Sequence, residues 1–284
     1  MINDNDTFDI NLIGIGVPKA ATTWLNACLN EHPDVCLAEK EVNFFNTQAA
    51  FPNEKPQNYQ KGLQWYKKQF QHCNKNSIIG EYSVDYFADE HAPKRIAEQF
   101  PDINFIIILR NPIDRAYSHY QYRKAKGRDF GASKRAQEKS FVEFLKTEKR
   151  FREVGFYDEH LKRWFSYFDK EQFCIILYEE IQKDPESVVK KTYKFLSADT
   201  SIEPSSLQEK INTTKEKKRL QFGNPLISFS FKVLYSMKEK LLPNRAEGYP
   251  DLTAQEREFA LRIYKSHIQK TEQIIEKGLT TWYK

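Results

Sequence analysis

The sequence predicts an α/β fold in which a central parallel sheet is flanked by helices, and three observations predict it. Its apolar runs are short and continuous, where strands of a sheet open to water on one face would alternate apolar and polar residues. Each run leads into a segment of helical character. Gly and Pro punctuate the junctions. In chain order, residues 8–17 (FDINLIGIGV) form the first strand, and after Gly16 and Pro18 the residues Trp24, Leu25, Cys28 and Leu29 recur at helical spacing. Ser77 to Tyr82 (SIIGEY) is a second strand ahead of a helix over about Glu90 to Phe100. Asn104 to Arg110 (NFIIILR) is a third, leading into a helix after Pro112. Helices are expected near 140–149 and 155–168, then a strand at Phe173 to Tyr178 (FCIILY) and a helix over about Pro185 to Leu196. A polar segment, 197–222, precedes an aromatic-rich stretch from Phe222 to Leu242. There Phe229, Val233 and Met237 keep helical spacing while Phe231, Leu234 and Tyr235 widen the apolar surface, so it suits a helix on the sheet or one that faces an acceptor or a membrane. No repeat or linker divides the chain, which predicts one domain over 1–284. In such a sheet, binding residues are expected at the C-terminal ends of the strands.

Composition narrows the class. Of 284 residues, 40% are hydrophobic and only 10 are Gly and 12 Pro, which excludes collagen-like, low-complexity and broadly disordered chains. No window reaches the roughly 18 apolar residues of a membrane span, and the N-terminus is acidic where a secretory signal is basic, so a cytoplasmic protein is expected. The four cysteines, Cys28, Cys36, Cys73 and Cys174, form no C-x-x-C pair and are read as reduced thiols. A net charge of +5 does not by itself call for nucleic acid. The charge is unevenly spread: Arg123, Lys124, Lys126, Arg128, Lys134, Arg135 and Lys139 face only Asp129 and Glu138 in one stretch. That stretch is either a solvated face or an attraction for an anionic substrate, and no recognised nucleic-acid module accompanies it.

The first strand ends in GVPKAATTW, residues 16–24, where a loop meets a helix N-terminus. Unpaired N–H groups and the helix dipole favour an anion there, and Lys19, Thr22 and Thr23 add donors. A nucleoside-triphosphate loop would read G-x-x-x-x-G-K-S/T, with the hydroxyl after the Lys holding Mg²⁺. Here Lys19 stands three residues ahead of the first Thr, and the third strand ends in Arg110 instead of a metal-binding Asp. A metal-dependent nucleotide kinase therefore becomes the alternative, with Glu81 as the residue that would face its cation.

The motifs PKAATTWL, KEVNFFN (Lys40 to Asn46), GEYSVDYF (Gly80 to Phe87) and RNPIDRAYSHY (Arg110 to Tyr120) resemble, in order and spacing, those of the sulfotransferases. Within them, the chain is similar to bacterial members related to the heparan sulfate sulfotransferases. The resemblance covers residues 12–120 and continues more weakly through Tyr178, Glu179, INTT (Ile211 to Thr214) and YPDLT (Tyr249 to Thr253) with its closing helix. It implies a P-loop-like three-layer sandwich and an EC 2.8.2 type enzyme. Two departures stand out. Many members have Gly where this chain has Ala21, and because Ala resists positive φ, the loop is expected to use a conformation open to a Cβ. Eukaryotic relatives carry Lys-Gly-Arg ahead of Tyr-Pro, where this chain has Asn244, Arg245, Ala246, Glu247 and Gly248.

The resemblance further implies the donor 3′-phosphoadenosine 5′-phosphosulfate (PAPS). Its 5′-phosphosulfate would take Lys19, Ala20, Ala21, Thr22, Thr23 and Trp24, and its 3′-phosphate Arg110 and Ser118, with Arg245, Gly248 and Tyr249 as further contacts. Lys19 is expected to stabilise the leaving oxygen, and a metal is not expected to be needed. Glu41 is the expected base, His119 the competing one, and Lys40 an assistant near the transferred group. The acceptor is a hydroxyl or amine, of a saccharide or of a lipid or other hydrophobic product. A catalytically inactive nucleotide-binding module is the remaining alternative.

Overall fold

The structure is a computed structural model that describes residues 10–47, 58–74, 77–126, 139–208 and 250–284. Within it, five parallel strands lie in the order β2-β3-β1-β4-β5. They are β1 (Leu12–Gly16), β2 (Val35–Leu37), β3 (Ile78–Tyr82), β4 (Asn104–Leu109) and β5 (Phe173–Leu177). The strands of the continuous apolar runs are the expected ones, and β1 and β4 are buried almost throughout. β1 sits in the middle: it pairs with β3 on one side, Leu12 beside Gly80, and with β4 on the other, Leu12 beside Asn104. The chain builds one half of the sheet and then crosses to the other, which opens a crevice between the C-terminal ends of β1 and β4.

Helices flank the sheet: α1 (Thr22–Asn30), α2 (Gly62–Lys68), α3 (Ala92–Ala97), α4 (Pro112–Lys126), α5 (Phe141–Thr147), α6 (Lys149–Glu153), α7 (Tyr157–Phe165), α8 (Tyr178–Lys183), α9 (Pro185–Phe195) and α10 (Ala254–Ile275). Several ends follow from local chemistry. The carboxylate of Asp89 accepts from the N–H groups of His91 and Ala92 at 2.9 and 3.0 Å and so starts α3 later than its apolar pattern suggests. The helix expected near 140–149 is two: a Ser140–Glu143 capping box opens α5, and Glu148, at φ −96° and ψ 67°, separates it from α6. Thr253 and Glu256 form a second capping box at the start of α10. α10 packs on α7 and α4, where Arg257 pairs with Asp114 at 2.8 Å and His267 with Asp158 at 2.6 Å.

Two elements carry no periodicity a sequence could show. β2 has three residues, and α2 has only Tyr66 buried. They also overturn the cysteine expectation: Cys36 on β2 and Cys73 beyond α2 form a disulfide, with Cα atoms 5.6 Å apart and a sequence separation of 37. Pairing of β2 with β3 brings the two thiols together, which no short spacing motif could reveal. Cys28 and Cys174 are free and buried, as expected.

Among the described residues no helix is long and apolar enough to cross a membrane. Most of the basic stretch, 127–138, and the aromatic-rich stretch, 222–242, lie outside the described residues.

Candidate active site

The site is assembled where strands end. Beyond β1 the backbone turns through Lys19 and Ala21, both left-handed, at φ 73° and 64°. The expectation that Ala21 would avoid positive φ is therefore corrected. The left-handed well is sterically open to a Cβ, at a cost of roughly 1–2 kcal/mol, and the residue is held in it by burial at the start of α1. No side chain caps α1 and its first turn holds no acidic residue, an arrangement whose N–H end can take an anion. Thr22 is buried at this end and Thr23 exposed.

Arg110, directly after β4, donates from Nη1 to the Lys19 carbonyl at 2.8 Å and lies over the Tyr178 ring, 4.6 Å from its centroid. Its own carbonyl accepts from the Tyr157 hydroxyl at 2.8 Å. The nearby carboxylate of Asp114 is engaged by Arg257 instead, which leaves Arg110 facing the loop. Lys19 Nζ lies 3.9 Å from the centroid of the Tyr122 ring on α4. The crevice between β1 and β4 is thus spanned by a guanidinium–carbonyl bond.

From the other side, the segment after β2 delivers Lys40 and Glu41. Lys40 Nζ donates to Thr22 Oγ1 at 3.0 Å and sits 4.7 Å above the centroid of Tyr82. Tyr82 in turn needs Gly14 beneath it, since a Cβ there would come within 2.3 Å of the ring. Burial pushes Glu41 up to about 7; Asp85 and Glu81 add to the rise, while Lys40 and a hydrogen bond with Asn43 oppose it. Burial pulls Lys40 down to about 8 against the attraction of Glu41. A carboxylate tuned close to neutral pH beside an ammonium on the anion loop is chemically a proton acceptor next to an anion site.

His119, on α4, has a different environment. It is held well below the usual histidine range by burial and by Arg115, Lys19, Arg123 and Arg150. Its ring packs 4.6 Å from that of Phe151, and its Nδ1 is buried with no hydrogen-bond partner among the described residues. Ser118 is half-buried on the same helix. Trp24 is turned inward, its indole N–H donating to the Ser206 carbonyl at 3.1 Å, and Ala20 is fully buried. Arg245, Gly248 and Tyr249 lie outside the described residues.

Glu81 does not face a cation, which removes the structural support for a metal-dependent kinase. Its carboxylate is buried and accepts from the hydroxyls of Tyr66, Tyr86 and Ser83 at 2.9, 2.8 and 2.5 Å. Among the described residues, the one cluster close enough to share a metal ion is Cys36, His72 and Cys73, where the two sulfurs are bonded to each other. Of the aromatic supports, Tyr82 lies inside GEYSVDYF and Tyr178 belongs to the weaker resemblance, neither with a supporting role, and Tyr122 is not singled out from sequence.

A family model described as a sulfotransferase domain matches residues 9–271. The chain belongs to the sulfotransferase family. Over 294 aligned residues it is 29% identical to bifunctional heparan sulfate N-deacetylase/N-sulfotransferase 1 of Xenopus laevis, covering 95% of this chain and 30% of that protein. It is 32% identical over 198 residues to heparan sulfate glucosamine 3-O-sulfotransferase 5 of Mus musculus, covering 68% of this chain and 55% of that one. The chain thus spans about a third to a half of the length of these relatives. Among solved structures, a sulfotransferase from Alicyclobacillus acidocaldarius superposes with a TM-score of 0.72 at 24% identity, covering 98% of this chain and all of that one. A mouse sulfotransferase complexed with PAP superposes with a TM-score of 0.50 at 14% identity, covering 95% of this chain and 91% of that one. The chain therefore has the P-loop-like α/β fold that its motifs imply.

Proposed function

We propose that this sulfotransferase moves a sulfuryl group from PAPS to a hydroxyl or amine of a saccharide, with Glu41 as base and residues 1–284 acting as a single domain. The observation that carries it is the junction of three strand ends: Arg110 on the Lys19 carbonyl, and Lys40 on Thr22 with Glu41 beside it. The donor set fits an anion with two charged ends. An uncapped helix terminus with Lys19, Thr22 and Thr23 suits the phosphosulfate, with the backbone of Ala20, Ala21 and Trp24 completing the loop. Arg110, with Ser118, suits the 3′-phosphate, because a planar guanidinium grips phosphate in two places. Arg245, Gly248 and Tyr249 are assigned to the same donor from the motif alone. The bound donor supplies the sulfuryl group and a phosphate oxygen as leaving group.

The chain's own residues then divide the work. Glu41 takes the proton of the acceptor as its bond to sulfur forms. Lys19 and the N–H groups opening α1 meet the charge that develops on the leaving oxygen, in line with the incoming one. Lys40 ties the base to the donor loop through Thr22. His119, neutral and set among cations, is a wall of the site rather than its base. A saccharide acceptor is supported by the two heparan sulfate enzymes among the relatives. We further propose that turnover needs no added metal ion.

Calorimetry tests the donor assignment: adenosine 3′,5′-bisphosphate should bind more tightly than AMP, and equal affinities would refute it. Turnover of a desulfated heparan-type oligosaccharide with PAPS, followed by mass spectrometry and repeated with a chelator, tests the acceptor class and the metal requirement. Loss of turnover in the chelator would overturn the latter.

A further inference from the structure

Glu81 is a buried carboxylate at the end of the central part of the sheet, and the reaction proposed above does not use it. Its surroundings are unusual in what they connect. Three hydroxyl groups give their protons to it, from Tyr66 on α2, and from Ser83 and Tyr86 just beyond β3. Burial, and then the neighbouring Glu81, hold the Tyr66 and Tyr86 phenols well above their usual range, so both remain donors. A hydroxyl whose proton is committed to a carboxylate still offers lone pairs, and the carboxylate makes it a stronger acceptor.

Two of the three hydroxyls use those lone pairs on one segment. The Asn43 N–H donates to Ser83 Oγ at 2.9 Å, and the Phe44 and Phe45 N–H groups donate to the Tyr86 hydroxyl at 2.7 and 3.3 Å. The Val42 N–H hydrogen-bonds Glu81 itself. The four consecutive amides that follow Glu41 are therefore all held by one carboxylate, directly or through a single hydroxyl. Asn43 is left-handed, at φ 49°, a conformation a non-glycine residue keeps only where its neighbours impose it. The Phe44 and Phe45 rings pack on Tyr66 at 4.7 and 4.9 Å, which fixes the far side of the segment.

We infer that Glu81 is a positioning residue: through Ser83 and Tyr86 it sets the backbone of residues 42–45 and so aims Glu41 at the donor loop. This rests on Glu41 being the base. Tyr66 supplies the internal control. It makes a hydrogen bond to Glu81 at 2.9 Å, against 2.8 Å for Tyr86, yet accepts from none of the four amides.

The experiment compares Tyr86→Phe, Ser83→Ala and Glu81→Gln with Tyr66→Phe in the full chain, using PAPS and a desulfated heparan-type oligosaccharide. Amide hydrogen exchange at 42–45 is followed in the same variants. Tyr86→Phe and Glu81→Gln are expected to lower kcat by about 10- to 100-fold, the scale for a base displaced by an ångström, with KM for PAPS nearly unchanged. Ser83→Ala should act in the same direction. Tyr66→Phe should lose comparable thermal stability but keep kcat, and amides 42–45 should exchange faster only in the other three. Glu41 faces Lys40, Asp85, Asn43 and Glu81, so removing the Glu81 charge should also move the acid limb of the pH profile downward. Equal kcat losses in Tyr66→Phe and Tyr86→Phe, or unchanged exchange at 42–45 in Glu81→Gln, would overturn the inference. Glu41→Gln keeps the two ideas apart: if it retains turnover, the base assignment fails whatever the exchange data show.

Discussion

Arg110 and Glu81 are both ionisable residues at the C-terminal ends of the two strands that flank β1, yet the structure treats them in opposite ways. Arg110 is met by a carbonyl and an aromatic face, Asp114 is drawn off by Arg257, and Glu179 lies within electrostatic reach. Glu81 is enclosed by three hydroxyls and an amide. A guanidinium held at a strand end by a carbonyl and a ring keeps donors for a ligand, while a carboxylate satisfied inside the core organises backbone. Lys40 and Glu41 stand between the two. Their charges attract each other; Lys40 is bonded to Thr22 on the loop after β1, and Glu41 leads into the segment that the Glu81 network holds.

That contrast can be broken in several ways. The largest effect is expected from Glu41→Gln, which should lower turnover by at least ~100-fold, the lower range for loss of acid–base catalysis, with affinity for adenosine 3′,5′-bisphosphate intact. Arg110→Ala should do the reverse, weakening that affinity by about 1.5–3 kcal/mol, the range for a hydrogen bond to a charged group. Isothermal calorimetry beside a turnover assay separates them, and identical profiles would erase the distinction between donor grip and base.

Glu81 should also announce itself in the stability curve. Its carboxyl is raised from an ordinary value of 4.5 to about 7, chiefly by burial, against the hydrogen bonds of Ser83, Tyr86 and Tyr66. The folded chain then binds the extra proton between those limits. Its contribution is fully present below about 4.5 and is lost as pH rises through about 7, an effect of about 3 kcal/mol. Urea denaturation across this range should show the decline in the native chain and a flatter curve in Glu81→Gln. Activity has the opposite slope, since Glu41 must be ionised to accept a proton: kcat/KM should rise with pH through about 7. The smallest expected effect is at Ala21. Replacing it with Gly relieves the left-handed Cβ but loosens the unfolded chain, a net gain of about 1 kcal/mol or less, read as a small rise in Tm.

Much of the site was legible because its residues sit directly after apolar runs. Lys19 follows β1 and Arg110 follows β4, so a correct strand assignment already places them together at one edge of the sheet. Other parts left no such trace. β2 is three residues long, too short for any period, and the segment carrying Lys40 and Glu41 depends on it. The Cys36–Cys73 disulfide joins cysteines 37 residues apart, a spacing that belongs to no short cysteine motif. Glu81 read from sequence as a possible cation ligand, because nothing in GEYSVDYF says that Ser83 and Tyr86 fold back onto it while Tyr66 arrives from α2.

The amino-acid order alone determined the parallel α/β architecture, the position of the Lys19 loop after β1 and the family, since each is written in local residue types and their spacing. Tertiary structure decided which charges stay available and which are neutralised. Neutralisation depends on partners remote in the chain, Arg257 for Asp114 and Tyr66 for Glu81, and only folding brings those within hydrogen-bond reach.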